Sequence, residues 1–375
     1  VTAADLGISF SNLNVVDEAI DVGRSGNLIK RYKDKKDLQQ GDKVIALSLD
    51  VDSDAVASIL SGKAAQLNQE AVDNGLVREN GAFKIIKGEQ GIEVNVEDSI
   101  AAIENYISSE WDGGNAEIEL VAEVVEPRGS EEDLEQITDM MGSYTTNYKD
   151  SGQNRCDNIS NATSKINGTL LYPGEEFSVY EAIGPLDAAN GYELAGAYEN
   201  GQTVESYGGG VCQVSTTLYN AVILAELEIT QRSNHSMIVS YVKPSMDAAI
   251  AGDYKDLRFV NNQDIPIYIE GYTEGKNVTF KIYGHDTRPS NRVVTYESEV
   301  VSEQDPGTQY VATGDPAGYM KTAQGKHIGY VARLWKVVTV DGVEESREIF
   351  NKSTYKASPK IVNVGTASAD PNVSA

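Results

Sequence analysis

Hydrophobic positions along this chain repeat with two different periods, and the changes between them divide it into segments. Residues 43–51, KVIALSLDV, are almost continuously apolar, the pattern of a buried strand. In the next run, DSDAVASILSGKAAQLNQEA, Val56, Ile59, Leu60 and Leu67 fall on one helical face, with Ser53 as the expected N-cap. AFKIIKG and GIEVNV read as short strands. In EDSIAAIENYISSEW, Ile100, Ile103, Ile107 and Trp111 return to helical spacing. Ile118, Leu120, Ala122 and Val124 then alternate, as in a half-buried strand. These elements predict an α+β domain over residues 1–127.

The stretch 128–150 is polar and acidic and reads as a connector carrying one short helix over 131–141. A mixed α/β domain is expected over 151–287 and a β-rich module over 292–366. In that module Asp341-Gly342 is a hairpin-turn dipeptide between strand-like runs. Residues 367–375 are expected to form a disordered tail. The fold class is therefore α+β and multidomain, as a length of 375 residues allows.

Composition narrows the function. With 57 acidic against 31 basic residues the formal charge is -26, which disfavours nucleic acid and anionic lipid as partners. No apolar run approaches the ~20 residues of a membrane span. The chain opens at Val1 rather than Met, so a signal or membrane anchor in the full-length protein is compatible with it. Two cysteines do not make a disulfide scaffold, although a Cys156–Cys212 bridge is the structural alternative for both.

The chemistry gathers in ESYGGGVCQVSTTLYNAVILAELEI. Gly208, Gly209 and Gly210 permit a sharp turn, and Val214, Leu218, Ala221, Val222 and Ala225 then follow at helical spacing. Cys212 is thus expected in the first turn of a buried helix, where unpaired N–H groups favour a thiolate and can steady an oxyanion. Gly209, Gly210, Gln213 and Tyr207 are the candidate substrate and oxyanion contacts. Of the three histidines, His235 is preferred over His285 as base because it heads a β-branched, strand-like run after the helix. That is the order of papain-like and transglutaminase-like folds. For the acid orienting the imidazole, Asp256 is placed ahead of Asp247, since a strand starting there could pair beside His235. No Cys-x-x-Cys or His-x-x-x-His spacing suggests a metal, and no cofactor is expected.

With these motifs in order, residues from about 154 to 284 resemble the VanW-like domain of Gram-positive bacteria. The resemblance rests on NRCDNISNATSKINGTLLYPGEEFSVYEAIGPLDAANGYELAGAY, GGGVCQVSTTLYNAVILAELEI, RSNHSMIVSYV and DLRFVNNQDIPIYI. More loosely, residues 1–127 resemble the peptidoglycan-binding domain that often precedes VanW-like or YkuD-type L,D-transpeptidase domains. Residues 292–366 resemble the small β module named for its five glycines. The family occurs beside glycopeptide-resistance genes, and some members are associated with 3–3 peptidoglycan crosslinks. The resemblance implies a cell-wall or extracellular protein of a Gram-positive bacterium acting on peptidoglycan stem peptides and glycan. Cys212 would be the nucleophile of an L,D-transpeptidase-like acyl transfer. A thiol hydrolase on the same peptides and a non-catalytic wall-binding protein are the alternatives.

Overall fold

The computed structural model of the protein describes residues 1–199, 202–252 and 254–367. It divides into two compact units, one of Val1–Asn74 with Lys87–Arg128, the other of Gly75–Ile86 with Gly129–Ala375 as far as these residues are described. Of the tail expected to be disordered, Ala367 ends a strand and the rest lies outside the described residues.

In the first unit the helices Ser53–Leu67 and Val96–Ser109 enclose a small core of Val51, Val56, Leu60, Ile103 and Ile107. Asp52, not Ser53, caps the first helix, its carboxylate accepting from the N–H groups of Asp54 and Ala55 at 3.1 Å. The strand expected over 43–51 shrinks to Leu49–Asp50, paired with Ser9–Phe10. With so short a partner the preceding apolar residues have no ladder to join, and Val44 is 88% exposed.

The second unit begins with a hairpin, Gly75–Glu79 against Ala82–Ile86. Phe83 on this hairpin meets the rings of Tyr268 and Tyr283 edge-on at 5.3 and 5.2 Å. Arg78 lies 4.6 Å over the Tyr283 ring and pairs with Glu270 at 2.9 Å. Leu76 joins Leu134, Ile137, Tyr268 and Tyr283 in one buried cluster.

Leu134 and Ile137 come from the stretch expected to be a connector. The short helix expected there forms over Glu131–Glu135, but the rest of the stretch is a strand, Asp139–Asn147, rather than a loose connector. The strand is an edge of a four-stranded antiparallel sheet, followed in space by Asn277–Gly284, Ile267–Glu274 and Thr169–Leu171. Its outward polar residues conceal it in the sequence, while Met141 and Thr146 reach the interior.

The helix Val211–Leu224, the central helix, crosses this sheet. Every residue in it except Cys212 and Leu224 is buried, as expected of a helix enclosed on all sides. The helix passes close over the sheet at Gly142, where a Cβ would come within 2.2 Å of the Ala221 carbonyl oxygen. Gly142→Ala should therefore push the edge strand off the helix and cost at least about 2 kcal/mol. Urea unfolding is the test, and an unchanged midpoint would contradict it.

The β module packs on the same unit. One antiparallel sheet contains Arg292–Gln304, Gly329–Val340 and Val343–Tyr355. A second contains Thr308–Pro316, Lys360–Ala367 and Met320–Gln324, the first two parallel. Asp341 and Gly342 take φ of 52° and 79°, as a two-residue hairpin turn requires. Glu226 ties module to helix end through Arg292 at 2.9 Å and Lys336 at 2.7 Å. These cations outweigh its burial and bring its carboxyl down to about 2. Among the described residues no helix is long and apolar enough to cross a membrane.

Candidate functional site

Three glycines set the start of the central helix. Gly208 and Gly210 have φ of +75° and +115°, and a Cβ on Gly209 would meet the Ala195 carbonyl oxygen at 2.5 Å. Only glycine suits all three places. The turn delivers Cys212 as the second residue of the helix, at the positive end of its dipole, where the Val211 and Gln213 amides already bond the Gly208 and Gly210 carbonyls.

From Cys212 a polar stripe runs down the helix through Thr216 and Asn220, one residue per turn. An irregular segment lies antiparallel along it. Ile250 N–H donates to Cys212 Sγ at 3.4 Å, and the Ile250 carbonyl, 3.5 Å away, accepts from the thiol when it is protonated. Ala248 N–H donates to Thr216 Oγ1 at 3.0 Å, and Thr216 donates to the Ala248 carbonyl at 3.2 Å. Asn220 Nδ2 donates to the Met246 carbonyl at 2.8 Å. Residues 246, 248 and 250 thus face the helix, and Asp247 points the other way.

Asp247 points at His235. One carboxylate oxygen, Oδ2, accepts from both the backbone N–H and ring Nδ1 of His235, each at 2.7 Å. The other, Oδ1, accepts from Arg232 Nη2 at 3.1 Å and from the Tyr355 hydroxyl. His235 is 7% exposed, and its ring stands near enough to the Cys212 sulfur for each group to shift the other's proton affinity. Tyr241 packs edge-on to this imidazole, ring centres 6.4 Å apart.

The electrostatics follow from this chain of contacts. Burial alone would lower the imidazole's proton affinity, but Asp247 and the Cys212 sulfur together raise His235 to about 9. Burial likewise opposes a thiolate, yet the His235 hydrogen bond and charge, with the Ile250 amide, hold Cys212 below the ordinary thiol value. Burial works against the Asp247 carboxylate too, and the bonds from His235 with the charges of His235 and Arg232 keep it low. These directions all favour a thiolate–imidazolium pair backed by a carboxylate.

Other candidates are placed elsewhere. Asp256, expected to orient His235, is buried at a helix start. There it accepts from Ser178 Oγ at 2.5 Å, Tyr180 N at 2.9 Å and Leu257 N at 2.7 Å. The strand expected to begin at His235 does not form, because neighbouring backbone groups bond outside any ladder. Ala249 N donates to the Ser233 carbonyl and Lys356 N to the Ser236 carbonyl. Gln213 is turned inward, its amide donating to Thr146 and Asn147 and accepting from Arg155 at 2.8 Å, so it does not face a substrate. Gly209 spends its N–H on the Ser206 carbonyl. Gly210 caps the helix, and Tyr207 is exposed at a strand end. His285 lies beside Asp139, 4.0 Å away. Both cysteines are free, with Cys156 in the helix Gln153–Ile166. Arg232, Thr216, Tyr241 and Tyr355 were not singled out from sequence. Arg232 and Tyr241 lie in RSNHSMIVSYV with His235, and Thr216 follows Cys212 by four residues, one helical turn.

A buried helix that presents a cysteine to a histidine, beside a β module and after an α+β unit, defines the class of this chain, and it belongs to the VanW-like family. The family model "VanW like protein" matches residues 154–283, "Putative peptidoglycan binding domain" residues 1–112, and "G5 domain" residues 295–367. "Uncharacterized protein YoaR" of Bacillus subtilis (strain 168) is 32% identical over 214 residues, 57% of this chain and 69% of that protein. "Vancomycin B-type resistance protein VanW" of Enterococcus faecalis (strain ATCC 700802 / V583) is 30% identical over 118 residues, 30% of this chain and 42% of that protein. Among solved structures, an IgA1 protease G5 domain is 26% identical with a TM-score of 0.16, covering 20% of this chain and 93% of that one. The HP0197 G5 domain is 16% identical with a TM-score of 0.14, covering 20% and 95%.

Proposed function

We propose that the chain is a cell-wall-associated, extracellular protein of a Gram-positive bacterium and that Cys212 carries out acyl transfer on peptidoglycan stem peptides. The observation that supports this best is His235, held at 2.7 Å by a buried carboxylate and near enough to Cys212 to favour its thiolate. In this reading the thiolate attacks the carbonyl carbon of the third residue of a donor stem. The positive end of the central helix dipole steadies the oxyanion. His235 passes its proton to the leaving D-Ala amine as the C–N bond breaks, leaving a thioester. The side-chain amine of an acceptor stem then attacks the thioester and gives its proton to His235, restoring the thiolate and closing a 3–3 crosslink. A cysteine on a helix start followed by its histidine also suits the papain- and transglutaminase-like order.

The domain matches over residues 1–112 and 295–367 support placement at the wall. A second reading, wall binding without turnover, is favoured by the Cys212 sulfur being engaged by both the amide and the carbonyl of Ile250. Incubation with disaccharide tetrapeptides, followed by mass spectrometry, separates the readings. A dimer joined between two third residues, with loss of D-Ala, is the expected result. D-Ala release without dimer would make the protein a thiol hydrolase. No turnover with intact binding to sacculi would make it a binding protein.

A further inference from the structure

The strand Val343–Tyr355 of the β module ends against the segment that carries Asp247, and its alternate residues face that segment. Asn351 Nδ2 donates to Tyr219 OH at 2.7 Å and to the Ser245 carbonyl at 3.3 Å. Ser353 Oγ accepts from Arg232 Nη1 at 3.0 Å, and Arg232 in turn donates to the Asp247 carbonyl at 2.7 Å. Tyr355, 2% exposed, accepts from Ser245 N–H at 2.7 Å and donates to Asp247 Oδ1. Beyond the strand, Lys356 N donates to the Ser236 carbonyl at 2.7 Å, and Asn234 Nδ2 donates to the Thr354 carbonyl at 3.0 Å. The module therefore grips the chain on both sides of His235 and immediately before Asp247.

The gripped segment does not hold itself in place by regular structure. Ser245 is fully buried with φ of +67°, a conformation that residues other than glycine seldom adopt without outside support. Its N–H and carbonyl both bond to groups outside the segment, namely Tyr355, Asn351 and Arg232. At Asp247 Oδ1 the Tyr355 hydroxyl is the closer of the two donors, and Arg232 supplies charge from 3.1 Å.

We propose that Tyr355, carried by the β module, is a positioning residue of the cysteine site, turning the Asp247 carboxylate so that Oδ2 faces His235. The module is then a wall of the site and not only an attachment to the surface. This rests on the reading of Cys212 as a nucleophile. Tyr355→Phe removes the orienting donor but keeps the ring and the Arg232 charge, so the expected loss is of alignment. The ionisable groups around the acid are His235, Cys212, Arg232, Tyr219, Tyr241 and Tyr355 itself.

The test uses the full chain and follows iodoacetamide alkylation of Cys212 against pH by peptide mass spectrometry. In the wild type the thiolate should form below the ordinary thiol range. In Tyr355→Phe the inflection should rise by about one unit, giving roughly tenfold slower alkylation on the acid side. Tyr296→Phe is the matched control, since its hydroxyl also crosses from module to helix, donating to the Ile223 carbonyl at 2.8 Å, but away from the acid. It should leave the profile unmoved. An unchanged Tyr355→Phe profile, or equal shifts in both variants, would overturn the proposal. Should Tyr355→Phe not fold, Ser353→Ala loosens Arg232 and should give a smaller shift of the same sign; its absence would be equally adverse. A wild-type inflection in the ordinary thiol range would remove the nucleophile reading and this one with it. A depressed inflection without turnover on tetrapeptides would remove only the transferase reading.

Discussion

Cys212→Ala is expected to release no D-Ala from disaccharide tetrapeptides and to form no crosslinked dimer, because the remaining cysteine, Cys156, sits on another helix. The folded state should survive, since the hydrogen bonds of the lost sulfur are to the Ile250 amide and carbonyl and alanine keeps the Cβ against the core. His235→Ala should slow the reaction by on the order of 100-fold or more, the usual consequence of losing a general acid–base. In that variant the thiol loses the hydrogen bond and charge that hold it down, so iodoacetamide labelling at mildly acidic pH should no longer favour Cys212 over Cys156. Residual dimer formation by Cys212→Ala, at anything near the wild-type rate, would refute the assignment.

Replacing the carboxylate should cost nearly as much. Asp247→Asn removes the negative charge that raises His235, and an amide nitrogen can turn toward Nδ1 and select the wrong tautomer. A loss on the order of 10³- to 10⁴-fold in turnover is expected. The pH profile carries the sign. Below the depressed Cys212 value the sulfur is protonated, and above about 9 His235 has no proton for the leaving amine, so wild-type activity should lie between these limits. In Asp247→Asn the upper limit should fall toward the ordinary histidine range near ~6.5, narrowing the window from above. Asp256→Asn, by contrast, should lower thermal stability by weakening the cap at Ser178 and Tyr180 and leave the upper limit in place. A fall in the upper limit for Asp256→Asn, with none for Asp247→Asn, would reverse the assignment of the acid.

Sequence pattern was informative where local structure sets geometry. The glycine turn and the helical spacing of Val214, Leu218 and Val222 fix the central helix, and they put Cys212 in its first turn. The acid was less legible, because residues 232–256 have neither period. Asp247 is aimed by alternate backbone bonds to Thr216 and Asn220, which leave no trace in hydrophobicity. Asp256 had the better pattern, standing just before a real strand, Arg258–Val260, but its carboxylate is committed to the start of the helix Val179–Ile183. The run MIVSYV looks like a strand because its apolar residues are buried, as Met237 and Val239 are, without any ladder beside them. Tyr355 lies 108 positions from its partner Asp247, beyond the reach of any local motif.

The hairpin Gly75–Ile86 bears on how such a protein is inherited and cut. Its residues fall within the 1–112 match, so by descent it travels with the amino-terminal domain. By folding it belongs with the later part of the chain, where Phe83 and Leu76 complete the cluster around Tyr268 and Tyr283. A gene fragment beginning at residue 128 would encode every residue of the cysteine site and still lack part of the apolar lining it folds around. A recombination event swapping the first 112 residues would have to bring a hairpin that fits the recipient's tyrosines. The border that family models draw through this chain is thus a line of ancestry, and the border of mechanical integrity runs somewhere else.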